Sequence, residues 1–256
     1  YSNTQMDGSS CPHQDDGGHG SHVAGTMAGD GSGTGNGMPA DRFKGCAPKA
    51  TIMCVSNLGD QFWDYTGYYA ASGDSIHGFD FIRTAAANLN APVVVNMSQG
   101  SNMGPHDGTT NFETGINNLI NDGNVVICIS AGNNARPGTV SGQKHDVQTV
   151  PVGGSATFNV AYRSNLGWPA AADLWYSAND RLELTVVDSY GISHGPYDPN
   201  GGPYTFTVDG RTNTVTSTLG AAINGQNRWL IEFADNTDSD TSDYGWQFTV
   251  APSSGN

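Results

Sequence analysis

The chain has 256 residues, 35 of them glycine and only 13% charged, which excludes a helical bundle or a disordered tail and leaves a loop-rich, tightly packed globule of one large or two smaller domains. Its 24 acidic residues against 10 basic ones give a formal net charge of −14, and such a surface repels nucleic acid and anionic membranes, so neither is expected as a partner. No apolar run reaches the roughly 18 to 20 residues that a membrane span needs.

The chain opens at Tyr1 rather than Met, so processing or truncation upstream is expected. Low lysine, the acidic surface and glycine-rich loops favour a secreted or extracellular protein. Cys11, Cys46, Cys54 and Cys128 allow three pairings, and the sequence does not choose among them. Residues 1–18 carry no periodicity and read as a surface loop.

The segment Asp16 to Gly29 follows, with two histidines set among glycines and alanines. Val23 and Met27, four apart, share one helical face, and the glycines at 17, 18 and 20 allow a sharp turn ahead of the helix. His19 then stands at the helix entry, held rigidly and facing a cleft. The partial positive charge of a helix N-terminus disfavours imidazolium, and a neutral imidazole is what a general base must be. His22, one turn further in, is expected to be buried. A second reading makes His19 and His22 a metal pair, with Asp15 and Asp16 adding oxygen ligands.

Pro48 breaks any helix, and Thr51 to Val55 is an apolar run suited to a buried parallel strand containing Cys54. Spacings of three and four at Ile76, Phe79, Ile82, Ala85, Ala86 and Leu89 predict an amphipathic helix over 74–89. A β-branched strand over 92–100 comes next, then a helix over 112–122 stopped by Gly123-Asn124, then a second buried strand over 125–133 containing Cys128. Strand, helix and strand in succession predict right-handed crossovers and a mostly parallel sheet, whose sites form at the carboxyl ends of its strands.

From about Asp146 the pattern changes to short alternating runs: 147–152, 157–162, 173–177, 182–187, 204–208, 214–218, 229–234 and 246–250. Eight such runs predict an antiparallel sandwich, with a jelly roll as first choice. Asp235 to Asp243 crowds four carboxylates into nine residues. Hard oxygen ligands of this kind suit a structural calcium held by Asp238, Asp240 and Asp243, the alternative being a solvated acidic turn. No organic cofactor is implied.

Four segments in this order carry a resemblance. His19-Gly-Ser-His-Val-Ala-Gly-Thr26 resembles the histidine signature of the subtilisin-like serine peptidases, with Ser21 where threonine is usual. Gly45-Cys-Ala-Pro-Lys-Ala50 is similar to the segment that leads into a core strand of that family. Asn96-Met-Ser-Gln-Gly100 and Ser130-Ala-Gly-Asn133 resemble its substrate-pairing and oxyanion segments. Trp175 to Leu182 resembles the opening of β-rich insertions found in some bacterial members.

The resemblance implies an α/β fold, with a mostly parallel sheet of subtilisin type in residues 1–146 and a separate β-sandwich in 147–256. It implies an endopeptidase acting on polypeptides. His19 would be the general base and Asn133 the oxyanion donor, while Ser98, Gln99 and Gly100 pair through their backbone with an extended substrate. An uncharged amide suits the oxyanion because it meets developing charge without losing a proton.

Two family pieces do not match. No Gly-Thr-Ser-Met-Ala-x-Pro nucleophile segment occurs. Asp7-Gly8, similar to the family's acid turn, lies only twelve residues before His19 with no β-branched strand ahead of it. Since the triad is met in the order Asp, His, Ser in this family, the chain is expected to be an incomplete peptidase. The remaining segments would come from a longer or companion chain, and residues 1–256 alone would be inactive. The alternatives are a module that keeps the fold for binding or assembly without the triad, and a metal-binding scaffold.

Overall fold

The computed structural model describes residues 15, 17–56, 67–100, 102–121, 124–132, 145–163, 170–234 and 243–253. Gly18, at φ 70°, turns the chain into helix α1 (His19–Ala28), a left-handed conformation that costs glycine no Cβ clash. Asp15 supplies two acceptors to that start. Its Oδ2 takes the Ser21 N–H at 2.5 Å and its carbonyl takes the Gly18 N–H at 3.1 Å, so amides that the first turn leaves open are satisfied.

The other end of α1 is capped by a distant segment. The Thr26 and Met27 carbonyls accept from the Cys46 and Ala47 N–H groups at 3.2 and 2.9 Å, and the Gly29 carbonyl accepts from the Gly45 N–H at 2.9 Å. A Cβ on Gly45 would sit 2.5 Å from the Gly29 nitrogen, so this approach requires glycine. Thr51 to Val55 does not continue into the buried strand that its apolar run predicts. It pairs with no strand among the described residues, Ile52 and Val55 are exposed, and only Met53 packs against a core. An apolar run forms a strand only where a ladder partner meets it, and among the described residues none does.

Helix α2 (Gly67–Leu89), strand β1 (Val93–Met97), helix α3 (Asn111–Asn121) and strand β2 (Val125–Ile129) follow in the predicted order. β1 and β2 are parallel, in register from Val93 against Val125 to Met97 against Ile129. Their inner face, with Met97 and Val125 buried, packs on Phe79 and Ile82 of α2 and Leu119 of α3. Phe79 and Phe112 bring the two helices together at a ring distance of 5.7 Å. The outer face is bare among the described residues: Val94 is 65% and Val126 59% exposed, and Cys128 beside Asn96 is exposed too. The expected burial of Cys54 and Cys128 is therefore corrected, since both are exposed.

Of the mostly parallel sheet expected in residues 1–146, the described residues hold the two-stranded pair β1–β2. The other eight described strands are antiparallel and lie in the region expected to form a sandwich. These are β3 (Ala156–Arg163), β4 (Ala170–Tyr176), β5 (Leu182–Val187), β6 (Ser193–Tyr197), β7 (Tyr204–Val208), β8 (Arg211–Thr218), β9 (Asn227–Phe233) and β10 (Asp243–Pro252). They form two four-stranded sheets, ordered β3-β10-β5-β6 and β4-β9-β8-β7.

Alternation along β5 and β9 sends Leu184, Val186, Trp229 and Ile231 into one core with Val215 and Phe248, all fully buried. The Trp229 indole, too polar to bury unpaired, donates to the Leu182 carbonyl at 2.9 Å. A jelly roll nests its strand pairs from the outside in. The nesting holds here for β3 with β10 and for β4 with β9, then stops, because β5–β6 and β7–β8 close as local hairpins.

Candidate active site

His19 is the first residue of α1 and its side chain is exposed. Nothing among the described residues hydrogen-bonds its imidazole. His22 is exposed rather than buried, correcting the expectation from its place in the helix. Only Ala28 of α1 is fully buried, with Val23, Ala24 and Met27 half-buried, so the covered face of the helix is narrower than the small residues imply. Among the described residues no three His, Cys, Asp or Glu side chains gather as a metal site needs, and Asp15 is engaged as the helix cap. The Ser21 amide, before any other cause, holds the Asp15 carboxyl below its ordinary value.

The carboxyl ends of β1 and β2 come together. Beyond Met97 the chain enters Ser98, Gln99 and Gly100, with Ser98 and Gly100 exposed and Gln99 half-buried. The Ser130 N–H donates to the Met97 carbonyl at 3.0 Å, and the Ser130 hydroxyl reaches the Gln99 carbonyl at 3.5 Å. Asn96 Nδ2 donates to Ser98 Oγ at 3.0 Å, bracing the turn from within. Segment 98–100 thus lies beside segment 130–132 at the crevice where open parallel sheets place their ligands. Asn133, directly after Gly132, lies outside the described residues, as do Asp238 and Asp240. Asp243 opens β10 opposite Arg163.

Sequence reasoning did not anticipate the route the chain takes after Gly100. His106 Nε2 bonds the Asn102 carbonyl at 3.2 Å, closing the loop on itself. Two carboxylates then tie it to the sandwich. Asp173 of β4 accepts the Gly104 N–H at 3.0 Å, and Asp107 of the loop accepts from Asn224 Nδ2 at 2.9 Å and Gln226 Nε2 at 3.4 Å. The side-chain bond from Thr109, then that from Asn224, hold the Asp107 carboxyl below its ordinary value. The only sequence signal was an aspartate within an alternating run, a position that usually faces water.

The sequence model of the subtilase family matches residues 2–250, which takes in the parallel pair and the sandwich together. A subtilisin of Bacillus sp. (strain TA39) is 37% identical over 116 residues, 45% of this chain and 24% of that protein. The structure of the CspB protease of Clostridium perfringens superposes on 97% of this chain with a TM-score of 0.66, at 22% identity, and the chain spans 49% of its length. That likeness shows a shared fold. With the histidine helix, its Gly45–Ala47 cap and the paired strand ends all inside the matched span, the chain belongs to the subtilase family.

Proposed function

We propose that this chain is one part of a serine endopeptidase that hydrolyses peptide bonds, with residues 1–146 as part of the catalytic domain and 147–256 as an inserted sandwich. The observation that carries the reading is the meeting of Ser98–Gly100 with Ser130 at the carboxyl ends of two parallel strands, in a chain of this family. An extended substrate would add as a strand along Ser98, Gln99 and Gly100. His19 takes the proton from a serine as it attacks the scissile carbonyl, then returns it to the departing amine. The Asn133 amide meets the oxyanion.

In this reading the serine, and the aspartate that orients His19, belong to segments outside residues 1–256, on a longer or a companion chain. The bare outer face of β1–β2 supports it, because parallel sheets are covered on both faces and Val94 and Val126 are exposed here. A secreted location belongs to the same reading. So does a structural calcium at Asp238, Asp240 and Asp243, for which the support is the crowding of carboxylates in the sequence. A chelator is expected to lower the melting temperature of the wild type and not that of Asp238→Asn with Asp240→Asn; equal shifts would remove calcium from this loop.

The test of the function is hydrolysis of an unstructured protein by the native full-length material and by its His19→Ala variant. Cleavage that falls by about 10⁴-fold or more in the variant is expected. Binding of peptides without cleavage would favour the assembly-module reading instead.

A further inference from the structure

We propose that the sandwich is a positioning part of the peptide-binding edge, with Asp173 and Asp107 fixing the loop that continues from Ser98–Gly100. The inference rests on the reading of that segment as the edge along which substrate pairs. Its inner end is already fixed by Ser130. Its outgoing end runs through Asn102 to Gly104, and there the fixing groups come from a different core.

Asp173 is suited to this. Its side chain is 4% exposed, one oxygen meets Arg228 Nε at 2.6 Å, and the other accepts the Gly104 N–H. Arg228 stands opposite Trp175 in the β4–β9 ladder, its guanidinium 5.2 Å from the indole centre, so the ion pair has a fixed direction before the loop arrives. A buried carboxylate paired on one oxygen offers the other as a rigid, charge-assisted acceptor. Asp107 repeats the device in the opposite sense, with the carboxylate on the loop and the amides of Asn224 and Gln226 on the sandwich.

Apolar packing between the loop and the sandwich is incomplete. Where the loop meets the sandwich it leaves a cleft of about 330 Å³, walled by Pro105, Phe112, Trp175, Ala222 and Ile223. The His106 to Asn102 bond carries the constraint from the clamped residues back toward the edge. A peptide that binds by main-chain pairing gains from an edge already ordered, since ordering it on binding would subtract from affinity. Loosening the clamp therefore weakens extended substrates more than short ones and leaves the chemical step alone, because neither His19 nor the oxyanion donor is touched.

Three variants of the full-length protein test this. Asp107→Ala alters an exposed side chain. Asp173→Leu combined with Arg228→Met removes the buried pair as a unit, so no unpaired charge is left inside. Asp173→Asn, made with Arg228→Met so that no guanidinium faces the new amide nitrogen, keeps an acceptor oxygen for Gly104 and serves as the conservative rescue. Amide exchange over residues 98–104 is expected to rise about tenfold in the first two and least in the Asp173→Asn variant. KM for a peptide of about eight residues rises about three- to tenfold with kcat unchanged, and KM for a short anilide does not move. Unchanged exchange in the Asp173→Leu double variant overturns the proposal, as does a KM that rises equally for short and extended substrates. If the wild type cleaves neither substrate, the reading of function fails, and exchange alone then decides whether the sandwich holds the loop.

Discussion

Gly45 shows how one residue positions another far along the chain. Its lack of a side chain lets the Gly45–Ala47 amides reach the carbonyl end of α1, and His19 opens that same helix. In Gly45→Ala the new Cβ meets backbone rather than a side chain that can move aside. A loss of about 1 to 3 kcal/mol in denaturant unfolding is expected, with faster exchange in α1 before any other element. Equal protection of α1 in both proteins would show that the cap is dispensable.

Asp188 works on the same scale within the sandwich. Burial pushes its carboxyl up. The bond from His194 Nε2 at 2.9 Å and the Ile192 and Tyr190 N–H groups, both at 2.9 Å, outweigh burial and leave the carboxyl below its ordinary value. His194 is kept there by stacking on Phe206 at 4.4 Å. A folded-state value below the unfolded one, near about 3.9, means stability that is present above that pH and lost as pH falls through the folded value. Asp188→Asn is expected to lower the melting temperature at neutral pH, with the gap to wild type closing below about pH 4. A gap that stays constant into acid would contradict this account of the β5–β6 turn.

Among the elements, the bare face of β1–β2 yields the sharpest contrast. If further segments of the protein cover it, Val94→Lys or Val126→Lys changes the stability of the 256-residue chain by no more than about 0.5 kcal/mol, as surface changes do. In the full-length protein the same change buries a charge and unfolds or dissociates the catalytic part. Equal tolerance in both would mean that nothing covers the face.

The same scale shows what could be read from sequence. β5 and β7 match their predicted bounds because strict alternation leaves one register that buries the apolar set. The runs 51–55 and 147–152 have the composition of strands and no ladder among the described residues, with Val147 and Val152 almost fully exposed. β6, containing Gly195 and Pro196, has the composition of a turn, yet it forms because an edge strand tolerates proline and its hairpin with β5 supplies the partner. Hydrophobic pattern reports which residues seek burial, and pairing depends on neighbours that the pattern does not name. At the site, the histidine helix and the segment after β1 were legible as motifs. Asp173 and Asp107 were not, because only the packing of the sandwich against the loop gives them partners.

At the scale of the whole molecule, one peptidase is, as proposed above, divided between residues 1–256 and segments outside them. The 256-residue chain alone is expected to cleave peptides no faster than the residual acceleration of about 10³ to 10⁴ over water that a binding edge and oxyanion group provide. Labelling of the native full-length protein with a serine-directed fluorophosphonate, with the site mapped by mass spectrometry, tests this most directly. One serine labelled stoichiometrically, in a segment outside residues 1–256, and no labelling in His19→Ala are the expected results. A labelled serine within residues 1–256, or labelling that persists without His19, would contradict it.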